Sequence, residues 1–268
     1  MASRLLLVVL PLVCLADGAA AQERRGPPPG EQPGGPPGGR TSYANPSAVI
    51  AAELAFARDA QARGQWTAFA AAAAPEAVMF VPRMVWAQQW LLGRPNPPAA
   101  VRWQPHAVWS SCDGSLMLSR GAWQAGAGGA SGWFTTLWQR QPDGAYRWVL
   151  DHGDSAAAPL PEPEMISAQI ADCPPRAVRP VAGVAGGAPP RGGPARSAKP
   201  PKPPKPPKPR DLPPLDPAQR SGAAGDGSLR WQVAVDPDGA RTLTVTWTKD
   251  GREQVLQVDR VAAPAAAG

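Results

Sequence analysis

Histidine and tyrosine are scarce, at two residues each among 268, and cysteine occurs only three times. That leaves too few ligands for an ordinary zinc site, and no cluster of His, Cys and carboxylates has metal-ligand spacing. No metal and no cofactor is expected. Ser110-Ser111 lack a Gly-x-Ser-x-Gly elbow, which argues against a serine hydrolase. Gly126-Ala127-Gly128-Gly129 lies between expected strands and opens no helix, so it is not a phosphate-binding loop. Beyond residue 16 there is no long apolar run, and no heptad or longer repeat occurs. A polytopic membrane protein, a coiled coil and a solenoid are thereby excluded.

Proline and glycine are plentiful, at 36 and 28 residues, a level that signals low-complexity segments. Tryptophan is also plentiful. Nine of its eleven residues, with both His, fall within 45–155, whereas 156–227 holds no aromatic side chain. One globular domain of about 110 residues with linkers and tails follows from this partition. The net charge of +6 is concentrated in 156–227, where ten basic residues face six acidic ones. The domain itself is nearly neutral and has no basic-aromatic stripe, so no nucleic-acid partner is expected.

Arg4, the apolar stretch Leu5 to Ala16, and Ala19-Ala20-Ala21 have the order of a secretory signal. Twelve apolar residues are too few to span a bilayer, and cleavage is expected after Ala21, giving a periplasmic or secreted protein. Two cysteines remain, Cys112 and Cys173. In an exported chain an even number suggests a disulfide, the alternative being two unpaired thiols.

Residues 22–44 are a Pro/Gly-rich leader expected to be disordered. Asn45 and Pro46 start a helix that Gly64 stops. Ile50, Leu54 and Ala57 form its apolar face, with Val49, Phe56 and Ala60 beside it. Trp66, Phe69 and Ala73 mark a second helix, Ala77 to Val81 a short strand, and Trp86 to Leu92 a helical turn. From residue 101 the period changes to two. Strands are expected over 101–104, 106–111, 116–123, 132–140 and 146–152, with Asp-Gly hairpins at Asp113-Gly114 and Asp143-Gly144. This is an α+β arrangement, with N-terminal helices packed on a curved antiparallel sheet.

Residues 156–227 read as a Pro-rich linker. Within it, 199–210 (KPPKPPKPPKPR) predicts a stiff polyproline II spacer of roughly 37 Å. Residues 228–261 predict a C-terminal three-stranded β meander with turns at Asp238-Gly239 and Asp250-Gly251. It is too small to stand alone and should dock on the main sheet, a second copy or a partner. Residues 262–268 are a tail.

The runs EAVMFVP (76–82), WLLG (90–93), WQPHAVWSSCDGSLMLSRGAWQ (103–124) and GWFTTLWQRQPDGAYRWVLDHGD (132–154) resemble a SnoaL-like domain of the nuclear transport factor 2-like superfamily. The resemblance covers about 45–155. It implies a cone-shaped fold whose sheet bends around a pocket and whose open sheet face can pair in a homodimer. A frequent family ending, Glu-His-Trp-Asp, is matched by Asp151-His152-Gly153-Asp154, with Gly153 in place of the Trp. This implies Asp154 as a base and His152 as its partner. Strand alternation also puts Trp148, Leu150 and His152 on one face and Asp151 on the other.

Trp86, Trp90, Trp109, Trp123, Trp148 and His106 are candidate ligand-binding residues; the alternative is that the tryptophans simply fill the core. The leading functional expectation is a non-catalytic module of the cell envelope that binds a small apolar or aromatic ligand or a protein. An acid–base enzyme using His152 and Asp154 is the alternative. A further one is an envelope protein whose Lys199, Lys202, Lys205 and Lys208 bind an anionic polymer.

Overall fold

The computed structural model describes residues 44–126, 128–173 and 211–264. The expected signal peptide, nearly all of the leader, the Pro-Pro-Lys tract and most of the tail lie outside these residues.

Helix α1 (Pro46–Arg63) starts with Pro46 in its first turn and ends at Gly64, whose φ of 100° is readily available only to glycine. Its buried face is Val49, Glu53, Phe56 and Ala60, rotated from the expected Ile50, Leu54 and Ala57, and it includes a carboxyl. Helix α2 (Gln65–Ala72) runs directly into β1 (Ala73–Phe80), which carries Pro75 within it and starts earlier than expected. After β2 (Met84–Trp86) comes the short α3 (Ala87–Leu91). Trp86 therefore belongs to a strand rather than to a helical turn.

Strands β3 (Arg102–Ser110), β4 (Leu116–Gln124), β5 (Ser131–Arg140) and β6 (Tyr146–Ala156) form an antiparallel meander of four strands where five were expected, because 101–104 and 106–111 are one strand interrupted by a bulge at His106. Strand β7 (Ser167–Ile170) follows, and the sheet order is β2-β1-β6-β5-β4-β3-β7. The sheet is mixed, not purely antiparallel as expected, because β1 runs parallel to β6 and β7 parallel to β3.

A second sheet is built from β8 (Gln219–Ala223), β9 (Leu229–Val235), β10 (Arg241–Lys249) and β11 (Arg252–Val261), in the order β11-β10-β9-β8. It has four strands where three were expected. Both β7 and β8 lie inside the stretch read as linker; their sequences SAQI and QRSGA carry almost no apolar signal. Asp250 and Gly251 both have positive φ, as a two-residue hairpin between β10 and β11 requires.

Two cores result. Helix residues Val49, Phe56 and Ala60 pack with Met79, Val108, Met117, Trp138 and Trp148 on one face of the first sheet. Its other face presents Val78, Leu118, Leu137 and Leu150 to Leu229, Trp231, Val233, Leu243, Val245 and Trp247 of the second sheet. The meander thus docks on its own chain. The sheet face expected to be available for a homodimer is covered by residues 229–247.

Polar contacts fix the docking. Asp113 and Asp226 each accept the other's backbone N–H, at 3.1 and 2.9 Å. Asp172 accepts from Lys249 Nζ at 3.2 Å and from the Asp250 N–H at 2.6 Å. Beside it, Cys112 and Cys173 are disulfide-bonded, with Cα atoms 5.0 Å apart and a sequence separation of 61. Closing such a loop stabilises by on the order of 4 kcal/mol in the chain-entropy model. Urea unfolding of Cys112→Ser/Cys173→Ser is expected to show a midpoint well below that of the parent chain. An unchanged midpoint would show that the bridge contributes nothing.

Candidate functional site

A cavity of about 270 Å³ opens between the helices and the first sheet. Phe56, Trp66, Phe69, Phe80, Trp103, Trp123, Trp133 and Phe134 contribute its rings. The walls are rigidly interlocked: the Phe56 ring stands edge-on to Phe69 and Trp103, with centroids 4.8 and 4.7 Å apart. The polar side chains are Glu53, Gln65, Thr136, Asp151, His152 and, from the second sheet, Arg241.

Glu53 stands at a core position of α1 and is fully buried. Its carboxylate accepts Trp103 Nε1 at 2.8 Å, Trp138 Nε1 at 2.9 Å and Ser119 Oγ at 2.6 Å. Burial still raises its pKa, against the opposing effect of these three donors. Asp151 is held only by Thr136 Oγ1, at 3.5 Å. Burial, reinforced by the negative charge of Glu53, pushes its pKa up to about 7.

A β-bulge decides what β6 presents here. Across β5, Leu137 pairs with Leu150 but Trp138 pairs with Trp148, so Val149 is an extra residue. An inserted residue reverses the facing of everything beyond it. Trp148 packs in the helix-side core and Leu150 in the core against the second sheet. The expected common face of Trp148, Leu150 and His152 is thereby broken, and Asp151 returns to the Glu53 side.

His152 is 2% exposed, and neither ring nitrogen has a hydrogen-bond partner among the described residues. It therefore forms no hydrogen-bonded pair with Asp154, which correspondingly does not line the cavity. The Asp154 carboxylate instead accepts its neighbour's Ser155 N–H at 2.8 Å. Burial and the adjacent Arg241 push the His152 pKa down to about 4, so the imidazole is neutral.

Of the tryptophans expected to bind a ligand, Trp123 lines the cavity. Trp86 lies in the other core, donates Nε1 to the Pro213 carbonyl at 3.1 Å and lies under Arg220. Trp90 packs edge-on against Trp66 beneath Arg94, and Trp109 packs toward the second sheet. Trp148 is wholly buried outside the lining. His106 is the extra residue of a second bulge, between Pro105 and Ala107, and is not in the lining either.

Glu53, Asp151 and Arg241 had not been singled out. Two carried a signal: Glu53 keeps helical spacing with Val49, Phe56 and Ala60, and Arg241 keeps strand parity with Leu243, Val245 and Trp247. A charge in an apolar row marks a position where packing alone would choose otherwise. The bulge that turns Asp151 inward has no such mark.

The raised Asp151 pKa gives a pH dependence of stability. Between its ordinary 3.8 and about 7, the unfolded chain releases a proton that the folded chain keeps, so stability falls through that range. Asp151→Asn removes the loss. At pH 8 it is expected to stabilise by on the order of 2–4 kcal/mol, and at pH 4 by almost nothing. Urea unfolding at the two pH values measures this; equal effects at both would contradict a buried carboxyl with a raised pKa.

Among the described residues, no group of three His, Cys, Asp or Glu side chains is placed to hold a metal ion. No protein-family model and no curated protein matches this chain. Part of the chain is similar to two solved structures. One is a provisionally assigned ketosteroid isomerase from Parabacteroides distasonis, 12% identical, covering 44% of this chain and 98% of its own, with a TM-score of 0.34. The other, an NTF-2-like protein of unknown function from Shewanella oneidensis, is 14% identical and covers 40% of this chain and 96% of its own, with a TM-score of 0.33.

Proposed function

We propose that this is an exported protein that binds a small ligand with an apolar or aromatic body in the cavity between its helices and first sheet. The single observation that carries the reading is the lining: eight Phe and Trp rings around about 270 Å³, with a few polar groups converging on the same space. A space of that kind suits one planar ring system better than a peptide or a sugar chain.

Val101 lines the cavity without being fully buried, so Val101→Trp fills the space with little disturbance to the core. Quenching of tryptophan fluorescence by a panel of one- and two-ring aromatic compounds is expected in the parent chain and absent in this variant. No quenching by any member, or the same quenching in both proteins, would remove the reading.

A second reading, acid–base chemistry on such a ligand, is favoured by one observation. Asp151 is a cavity carboxyl with a pKa of about 7, poised to give or take a proton near neutrality. Under this reading Asp151 carries the proton and His152 and Asp154 do not. Activity would then vanish in Asp151→Asn and survive in Asp154→Ala; the opposite pattern would restore the His152–Asp154 alternative.

A further inference from the structure

The cavity has a basic corner in which Arg241 forms no salt bridge among the described residues. Arg241 occupies an inward position of β10 and is only 9% exposed. Its guanidinium stacks over the Phe80 ring, 4.5 Å from the centroid, and donates one N–H to the Gly153 carbonyl at 2.9 Å. Its Nε is buried without a partner, and so are both nitrogens of His152 alongside. Three orphaned buried nitrogens therefore border one corner of the space lined by aromatic rings. Buried polar atoms without partners are rare and call for a cause such as a ligand.

The nearby carboxylates do not serve as that partner. Asp259 is engaged by Arg120, by Thr135 Oγ1 at 2.7 Å and by Gln257 Nε2 at 2.6 Å. Asp154 accepts from Ser155 and forms no salt bridge with Arg241 among the described residues. Asp151 lies with Glu53 and Thr136, at the other polar position of the cavity.

We propose that the ligand of this cavity is a small organic monocarboxylate, its carboxylate held by Arg241 and His152 and its ring body by the aromatic walls. The inference rests on the ligand-binding reading above and names the chemical class. Arginine presents a planar fork of N–H donors that matches a carboxylate, and a neutral imidazole adds one N–H in either tautomer. One cation balances one negative charge. A phosphoester dianion would need further donors. The second sheet is thus part of the site, since it supplies the group that selects the ligand.

Matched pairs test this on the full chain: benzoate against benzamide, and 2-naphthoate against 2-naphthamide, by calorimetric titration. A charge-assisted hydrogen bond favours the carboxylate by about ten- to a hundredfold. Arg241→Gln is expected to abolish that preference, weakening the acid far more than the amide. Arg241→Lys, which keeps the charge but not the fork, should retain part of it, and this variant decides the matter if Arg241→Gln does not fold. Equal binding of acid and amide by the parent chain overturns the carboxylate proposal and leaves the cavity reading standing. Binding of neither overturns both. A preference that survives both substitutions assigns the anion to some other group and overturns the role of Arg241.

Discussion

A chain lacking residues 211–264 is expected to lose cooperative folding, not merely an appendage. Without the second sheet, Val78, Leu118, Leu137 and Leu150, all fully buried, would face water along with Met84 and Trp86. Each large apolar side chain so exposed forfeits about 1.5–3 kcal/mol. Six of them come to about 9–18 kcal/mol, as much as the roughly 5–15 kcal/mol of a typical domain's net stability, before the associated polar losses are added. Those losses are specific. Trp86 Nε1 loses the Pro213 carbonyl, while Arg120 and Thr135 lose Asp259. Circular dichroism on heating should show a shallow transition or aggregation for the truncated chain. A sharp transition within a few degrees of the full chain's would mean that the first sheet is self-sufficient.

Glu53→Ala is the single substitution expected to cost most. It strips the carboxylate acceptor from Trp103, Trp138 and Ser119 at once, leaving Trp138 with Ser119 Oγ alone at 3.0 Å. A buried donor left without a partner costs about 1–3 kcal/mol, so a loss on the order of 3–6 kcal/mol is expected, part of it offset by removal of a buried carboxylate. Glu53→Gln should cost less, because one acceptor and the full side-chain volume remain. Urea unfolding measures both. An alanine variant within about 1 kcal/mol of the parent would show that Glu53 does not organise this wall.

Most of the first sheet was legible because its strands alternate cleanly and its hairpins carry Asp-Gly pairs. The helix boundaries were legible because Pro46 and Gly64 have one natural place each. The C-terminal strands could be read, and so could their need to dock, but not the surface they cover. That surface emerges only when the Leu118 and Leu137 face meets the Leu243 and Val245 face. Strands β7 and β8 were illegible because their residues are largely exposed and held by backbone pairing. The parallel pairings were hidden for a related reason: they join distant segments, which local periodicity does not register.

The sequence led to some residues of the cavity and missed others. An aromatic-lined cavity was expected, and Trp123 and His152 belong to its lining. Strict alternation along β6, however, paired His152 with the wrong neighbours, because one extra residue at Val149 reverses the strand beyond it. The residues that define the chemistry, Glu53 and Arg241, were visible as charges in apolar rows. Asp151 could be placed only from the register of β5 against β6.

The measurement that bears most directly on the central claim is native mass spectrometry of the full chain produced with its own N-terminal segment, under conditions that retain bound small molecules. The account predicts a reproducible adduct of one small organic acid per chain, absent from Val101→Trp and depleted in Arg241→Gln. A parent chain that carries no adduct and takes up none of the aromatic acids offered to it would contradict the claim that this cavity is a ligand site.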